Sequence, residues 1–499
     1  MQRADVKRTG SIVPMTVVLV LTAVFSVSVL AKDAGSLSGY LRTVDYDKLV
    51  KELGDGLPTG EGVTVTQVEN AAGWKEGQKG WAPDEDSKAF EDITFLLPAL
   101  PSDHATSVAK RFYGKSAMAS GVSEVECYPN TVWALSKTGF LRTRRSVPPL
   151  ASRSRVANHS WVGKKGHGFN LEVLKRVDFV VETDDFIQVA GANNGSEVPD
   201  LLQCCYNAII VGTTRGRHSV GTNKLGDDLY DSGRTRPDIV APAGATSSAT
   251  PVVASAATVL VGFAHERGKD LSNGSYVSPR SGLTIHHAET SEVIRAALMA
   301  GADRSGSGIS HYRSGAKRKA DNGLDSRYGA GCVNIYNSYH ILAAGECNSD
   351  EDGGDDAGRT GPVGFDYDPA FGGGEDSNRK ATYYLRAPGH GEPHLKASLV
   401  WNIDANESLS SWDGKAKLHD LDMKLYDLMW SEVLPVAESK SWVDSTENLW
   451  VELERGHSYR LVVQVPDRED DFVWDYALAW QYGKPEARQE PEGAKNEQQ

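Results

Sequence analysis

Residues 244–257 read Gly-Ala-Thr-Ser-Ser-Ala-Thr-Pro-Val-Val-Ala-Ser-Ala-Ala. The stretch opens a helix expected over Ala249–Ala264 and places Ser247 at its mouth, with Pro251 four residues on. The first backbone N–H groups of a helix have no partner within it, and the helix dipole adds partial positive charge there. Such a position suits a serine nucleophile, whose attack creates an oxyanion in need of donors. It equally suits a buried helix with a Ser/Thr cap. The rest of the chain has to separate the two readings.

Outward from this helix, short β-branched runs alternate with helical patterns from residue 59 to about 345. Val63–Val68, Phe186–Ala190 and Ala208–Val211 read as strands, and His104–Tyr113, Phe169–Val177 and Ser291–Ala300 as helices. Alternation of this kind predicts an α/β domain with a mostly parallel sheet and helices on both faces. Its active site is then expected at the carboxyl ends of the strands. Residues 346–378 are acidic and glycine-rich and read as a linker, with no recognisable calcium-loop spacing. From 379 to 484 strand patterns recur with turns between them (Ala381–Arg386, Lys396–Trp401, Met423–Leu428, Leu449–Leu453, Tyr459–Val465). An all-β sandwich is expected there. Residues 32–58 read as a short polar lead and 485–499 as a disordered tail.

The chain has 499 residues and a formal net charge of −14, which argues against nucleic acid and anionic membranes as partners. Arg3, Lys7 and Arg8 precede an apolar run from Ile12 to Leu30, with small residues before Lys32. Residues 1–31 therefore read as a secretory signal peptide, with an uncleaved anchor as the competing reading. A cleaved signal leaves no stable membrane partner and a secreted, periplasmic or cell-surface protein. Five cysteines are few for an exported chain. Cys332 with Cys347 is the expected local bridge, and no Cys/His spacing resembles a metal site.

A serine nucleophile needs a histidine base, a carboxylate behind it and donors for the oxyanion. Glu69 closes the strand that begins at Val63. His104 starts a helix among small residues, although such a histidine also suits a cap or the surface. Asn193 lies in Gly191-Ala192-Asn193-Asn194-Gly195, just beyond a strand, where a plain turn is the alternative. Ser160, Trp161 and Gly163 end another strand and, with Gly191, are candidates for holding an extended substrate.

The order Glu69, His104, Asn193, Ser247 closely resembles that of the subtilisin-like serine proteases. Ala245-Thr246-Ser247-Ser248-Ala249-Thr250-Pro251-Val252-Val253-Ala254 matches their serine motif except at its first position, normally glycine. His104-Ala105-Thr106-Ser107-Val108-Ala109 resembles their histidine motif, and Pro237-Asp238-Ile239-Val240-Ala241-Pro242 the segment before the serine. The resemblance covers about residues 59–345, and the region from 379 is similar to the β-sandwich appended to many exported members. It implies a serine endopeptidase with Ser247 as nucleophile, His104 as base and acid, and Glu69 orienting the histidine. Asn193 and the Ser247 N–H would form the oxyanion hole. Such chemistry needs no cofactor. The family commonly carries structural calcium, for which no ligand set can be named here. Glu69 replaces the usual aspartate, and Ala245 replaces a glycine at a cost of about 1 kcal/mol if positive φ is required there. The implied partner is a protein or peptide substrate. The alternatives are a catalytically weakened scaffold or binding protein, and an esterase using the same site.

Overall fold

The computed structural model describes residues 38–71, 80–97, 100–231, 233–304, 319–391 and 393–483. The signal-like segment 1–31 and the tail 485–499 lie outside these.

Seven parallel strands form the central sheet: β1 Val65–Glu69, β2 Thr94–Phe95, β3 Glu124–Pro129, β4 Val156–His159, β5 Ile187–Gly191, β6 Ile209–Thr213 and β7 Ile239–Ala241. Their spatial order is β2-β3-β1-β4-β5-β6-β7. The chain leaves β1 towards one edge through β2 and β3, then returns to lay β4 on the other side of β1. The sequence order therefore reverses between β1 and β4, and a crevice opens at such a switch point, beyond the carboxyl ends of the strands. Glu69 ends β1, and Ser160 follows β4.

Both faces of the sheet are covered, as expected. Strand side chains alternate between faces, so Val65 joins the core beneath the helices α3 Asp103–Phe112 and α6 Thr246–Arg267. Val68 joins the opposite core, with residues of α4 Asn130–Trp133 and α5 His167–Asp184. Gln67 and Glu69 share the face of Val65, which aims both at α3 and α6. Helix α6 is apolar all round because all but its ends lie buried.

Two segments differ from expectation. The polar lead contains α1 Gly39–Thr43 and α2 Tyr46–Leu53, whose Leu41, Tyr46, Leu49 and Val50 enter the main core. They are fixed beside α8 Ile335–Ala343, where the Ile335 N–H donates to Val44 O at 3.0 Å. The stretch expected as a linker holds a strand, numbered β10 below, over Val363–Phe371. Two of its acids are used internally: the Tyr383 hydroxyl donates to Asp366 at 2.6 Å, and Glu346 bonds His287 Nδ1 at 2.8 Å. Asp350, Asp352, Asp355 and Asp356 of the acidic run itself stay exposed.

After the short hairpin β8 Ser275–Val277 and β9 Thr284–His286, the C-terminal strands build a sandwich of two antiparallel four-stranded sheets. One is β10-β17-β12-β15, with β12 His394–Val400, β15 Thr446–Glu452 and β17 Trp474–Gln481. The other is β11-β16-β13-β14, with β11 Lys380–Arg386, β13 Asp422–Asp427, β14 Ala437–Ser439 and β16 Ser458–Gln464. All five cysteines are free thiols, including Cys332 and Cys347. Cys332 is held in the main core by backbone pairing with Asp303 and Val240, while Cys347 packs against the sandwich.

The sandwich docks on helix α7 Ser291–Gly301 through a buried polar network. The Asn402 amide donates to Ser291 Oγ at 2.9 Å and also to Glu292. Ser291 N–H donates to Asp185 at 2.7 Å, and the Tyr367 hydroxyl donates to Asp475 at 2.5 Å. Burial raises the pKa of Glu292 well above the carboxylate range, and the neighbouring Asp475 and Asp185 charges raise it further. Asp185 is pushed up to about 6, also by burial. Carboxyls that bind protons more tightly when folded stabilise fully below the unfolded range and lose that stabilisation as pH rises through their folded values. The urea midpoint is therefore expected to fall as pH rises from the ordinary carboxylate range through the raised folded values, that of Asp185 being about 6. Glu292→Gln, which mimics the protonated acid, should flatten that fall, and an unchanged slope would remove Glu292 from the explanation.

Candidate active site

The crevice at the β1/β4 switch holds a hollow of about 350 Å³ lined by Glu69, His104, Asn193, Asn194 and Ser247 among others. Four separate elements deliver these side chains. Local chemistry explains each delivery.

Helix α3 starts at Asp103 because the Ser102 hydroxyl caps it, accepting the Ala105 N–H at 3.1 Å. His104 thus sits in the first turn, where its side chain can lean back towards the end of β1. Its Nδ1 lies 2.9 Å from Glu69 Oε2. Glu69 is 2% exposed and His104 53%, so the carboxylate is sealed while the ring faces the crevice. The second carboxylate oxygen accepts from the Gln67 amide at 3.0 Å. That same amide donates to Ala105 O at 3.0 Å, and Gln67 Oε1 accepts from the Tyr113 hydroxyl at 2.5 Å. Burial raises the pKa of Glu69, while the hydrogen bonds from His104 and Gln67 hold it down. The Glu69 hydrogen bond raises that of His104 against the effect of its own partial burial. With Nδ1–H donated to a carboxylate, Nε2 is left as the acceptor facing the crevice.

Ser247 lies in the first turn of α6. Pro251 has no N–H, so the Ser247 carbonyl four residues earlier loses its helical donor. The Ser160 hydroxyl fills the vacancy, donating to Ser247 O at 3.1 Å, and the Asn158 amide in turn donates to Ser160 Oγ at 3.0 Å. The proline and the serine after β4 therefore act together to pin the mouth of α6 to the sheet. No hydrogen bond joins Ser247 Oγ to His104 Nε2, although both face the same hollow. Ala245 has φ −139° and ψ 153°, an extended conformation open to any residue, so its departure from glycine carries no backbone strain.

The two asparagines behave differently. The Asn193 amide donates to Glu197 O at 2.9 Å. Asn194, which the sequence reading passed over, accepts the Thr246 N–H at 2.8 Å through Oδ1. That bond fixes the orientation of its amide and leaves both Nδ2 hydrogens unassigned, one residue from Ser247. The only sequence signal for this residue was the Asn-Asn doublet itself.

Trp161 and Val162 line the hollow with Ser160 and Gly191. The Trp161 indole donates to His159 Nδ1 at 3.1 Å; burial holds His159 neutral, with its pKa lowered to about 4. A Cβ on Gly191 would lie 2.8 Å from Thr250 Oγ1, so glycine there permits the close approach of α6. Gly163, expected to contact substrate, is outside the lining. Its N–H and carbonyl are both taken by Leu201 at 3.0 Å, in antiparallel pairing. Among the described residues no group of three or more His, Cys, Asp or Glu side chains is placed to hold a metal ion.

No protein-family model matches the chain, and neither does any curated protein. Among solved structures, it is similar to the PatG macrocyclase in complex with peptide, at 14% identity and a TM-score of 0.36. The match covers 59% of this chain and 95% of that one. It is similar to tripeptidyl peptidase 2 at 11% identity and a TM-score of 0.28, covering 77% of this chain and 40% of that one. The pre-peptidase C-terminal domain of a collagenase from Bacillus anthracis matches over 25% of this chain and 92% of its own, at 14% identity and a TM-score of 0.18. At these scores the site stands on its own geometry.

The Glu69–His104 bond can be measured directly. Its sign is upward for the imidazole, so His104 should titrate above 6.5 by NMR. Glu69→Gln should lower that midpoint, because it removes the hydrogen-bonded charge that raises it. A midpoint indifferent to the substitution would mean that the pair does not form in solution.

Proposed function

We propose that this protein is an exported serine endopeptidase of the subtilisin-like type, working through Ser247, His104 and Glu69. The observation that carries the reading is the sealed Glu69 carboxylate bonded to His104 Nδ1 in a hollow shared with Ser247. A buried acid is costly unless paired, and here its partner is a half-exposed histidine lining the same hollow as a serine at a helix mouth.

In this mechanism His104 Nε2 takes the proton of Ser247 Oγ as the oxygen attacks the peptide carbonyl. Glu69 stabilises the imidazolium without accepting its proton. His104 then gives the proton to the leaving amine, and an acyl-enzyme on Ser247 remains. A water molecule, deprotonated by His104 in turn, releases the acid. The oxyanion receives the Ser247 N–H and a side-chain amide. Asn193 retains one amide hydrogen for that role, and Asn194 offers two beside the nucleophile. The Ser–His hydrogen bond, absent in the empty cleft, tightens when substrate excludes water. Extended peptide would lie along Ser160–Val162 and Gly191, against the Trp161 face.

Export belongs to the same proposal and rests on the basic, apolar and small-residue pattern of 1–31. A mature chain beginning at Lys32, read by N-terminal sequencing, is its expected product. For the chemistry, a fluorophosphonate probe should label Ser247 in the folded protein, and Ser247→Ala and His104→Ala should abolish labelling. A folded sample that stays unlabelled would leave a scaffold or binding protein as the reading. Removing one oxyanion donor raises the barrier by about 3–4 kcal/mol. Asn194→Ala is expected to lower kcat by about 10²–10³-fold with KM little changed. Asn193→Ala should lose less, and the reverse ranking would return the role to Asn193.

A further inference from the structure

A second hollow, of about 410 Å³, adjoins the first and shares Asn194 with it. Its walls include Arg217, His218 and Arg327. Arg217 is exposed, and among the described residues none of its five N–H donors has an acceptor. Arg327 is half-buried: its Nη1 donates to Gly216 O at 2.7 Å and to His218 O at 3.5 Å, while Nε and Nη2 stay unassigned. Among the described residues no carboxylate forms an ion pair with either arginine. Several buried arginines elsewhere are paired with carboxylates, Arg155 with Glu289 and both Arg236 and Arg295 with Asp238, while buried Arg234 is held by the Cys204 and Cys205 carbonyls. Two neighbouring unpaired guanidiniums are conspicuous in a chain of net charge −14.

The hollow is rigidly built. His218 Nδ1 accepts the Thr213 N–H at 3.1 Å, so Nε2 carries the proton and donates to Arg327 O at 2.7 Å. Burial lowers the pKa of His218, which keeps this bridge neutral. Ser219 N–H donates to Asn193 O at 2.9 Å, and Asn193 N–H donates to Ser219 Oγ at 3.0 Å. The turn bearing Arg217 is thereby clamped to the asparagine turn beside Ser247. Gly216 makes this possible: its φ is +66°, and a Cβ there would lie 2.9 Å from the Tyr328 hydroxyl. A group held by these arginines sits at a fixed offset from the reacting bond.

We propose that this hollow is a subsite for a carboxylate on the substrate, on a residue close to the scissile bond on the Asn194 side. The inference rests on the proteolytic reading above and adds the class of substrate. Guanidiniums grip carboxylates through paired N–H donors; here Arg327 is half-buried and anchored by the fold, and Arg217 stands exposed on the wall of the same hollow. The carboxylate has two sources, a Glu or Asp side chain within the peptide or the free C-terminus of a short leaving fragment.

Binding to the Ser247→Ala protein reads the subsite without turnover. Peptides carrying Glu or Gln at each position in turn, each as free acid and as C-terminal amide, should be titrated calorimetrically. At one position Glu should bind about tenfold or more tightly than Gln, and raising salt should weaken that difference. If amidation rather than Gln removes the gain, the terminal carboxylate is the ligand. Adding Arg217→Ala should abolish the preference, and Arg217→Glu should favour Lys at that position. Thermal unfolding of both variants checks that the fold survives. Glu and Gln peptides bound equally at every position together with free-acid and amidated ends bound equally, or a preference indifferent to Arg217, would overturn the subsite. An absence of fluorophosphonate labelling would instead overturn the proteolytic reading, and the binding titration distinguishes the two.

Discussion

A carboxylate closed off from water at the end of β1 constrains everything around it. Glu69 is fully enclosed, and an enclosed charge is tolerated only when its oxygens are occupied. One oxygen faces His104 and the other faces Gln67, whose side chain ties into Ala105 and Tyr113. Helix α3 is therefore held to β1 at three points, His104 and Ala105 at its start and Tyr113 just past its end. The direction of the His104 ring follows from that attachment rather than from the helix alone. A shift of α3 by one residue would break all three bonds and strand a buried acid. Position and chemistry have one cause.

The second constraint is the missing N–H of Pro251. A proline in the second turn of a helix exposes a carbonyl, and here the exposed carbonyl belongs to Ser247 itself. Ser160, at the end of β4, donates to it, while Asn194 receives the N–H of Thr246. The first turn of α6 is thus pinned by strand-end residues on both sides. The sixteen-residue buried run of that helix, Ala249–Ala264, then anchors it in the core. The nucleophile is exposed on an element that cannot readily drift.

Much of this was legible in the sequence because it depends on spacing. The α/β alternation and the sandwich follow from strand and helix periods, whereas the grouping of Glu69, His104 and Ser247 was implied by the resemblance of their order and motifs to the subtilisin-like proteases. Gln67 could have been found as well: it is polar, lies two residues before Glu69 and so shares its face, in a strand buried on both sides. Asn194 could not, because choosing between adjacent asparagines requires the turn geometry that directs one amide to Thr246 and the other to Glu197. Ala245 likewise needed an observed φ to show that glycine was dispensable. The lead and the linker were misread for a different reason. Their composition suggested solvation, but Leu41 of the first helix and Tyr46 and Leu49 on one face of the second enter the core, and Asp366 and Glu346 find partners on distant segments in Tyr383 and His287.

The glutamate in the acid position also takes on a structural meaning. Its register partner on β3 is Pro129, where that strand ends and α4 begins, so β1 reaches no further than its neighbour. An aspartate at the same backbone position would hold its carboxylate one methylene closer to the strand, withdrawn from a histidine that already reaches it at 2.9 Å. It would also withdraw from Gln67, whose amide bridges the carboxylate to the Ala105 carbonyl of α3. The longer side chain thus matches the distance at which the Gln67 bridge holds α3 from β1. Substituting the acid without that bridge would leave either the histidine or the glutamine unsatisfied. Residues 67, 69 and 104 therefore form one unit, in which the length of the acid is set by the amide beside it.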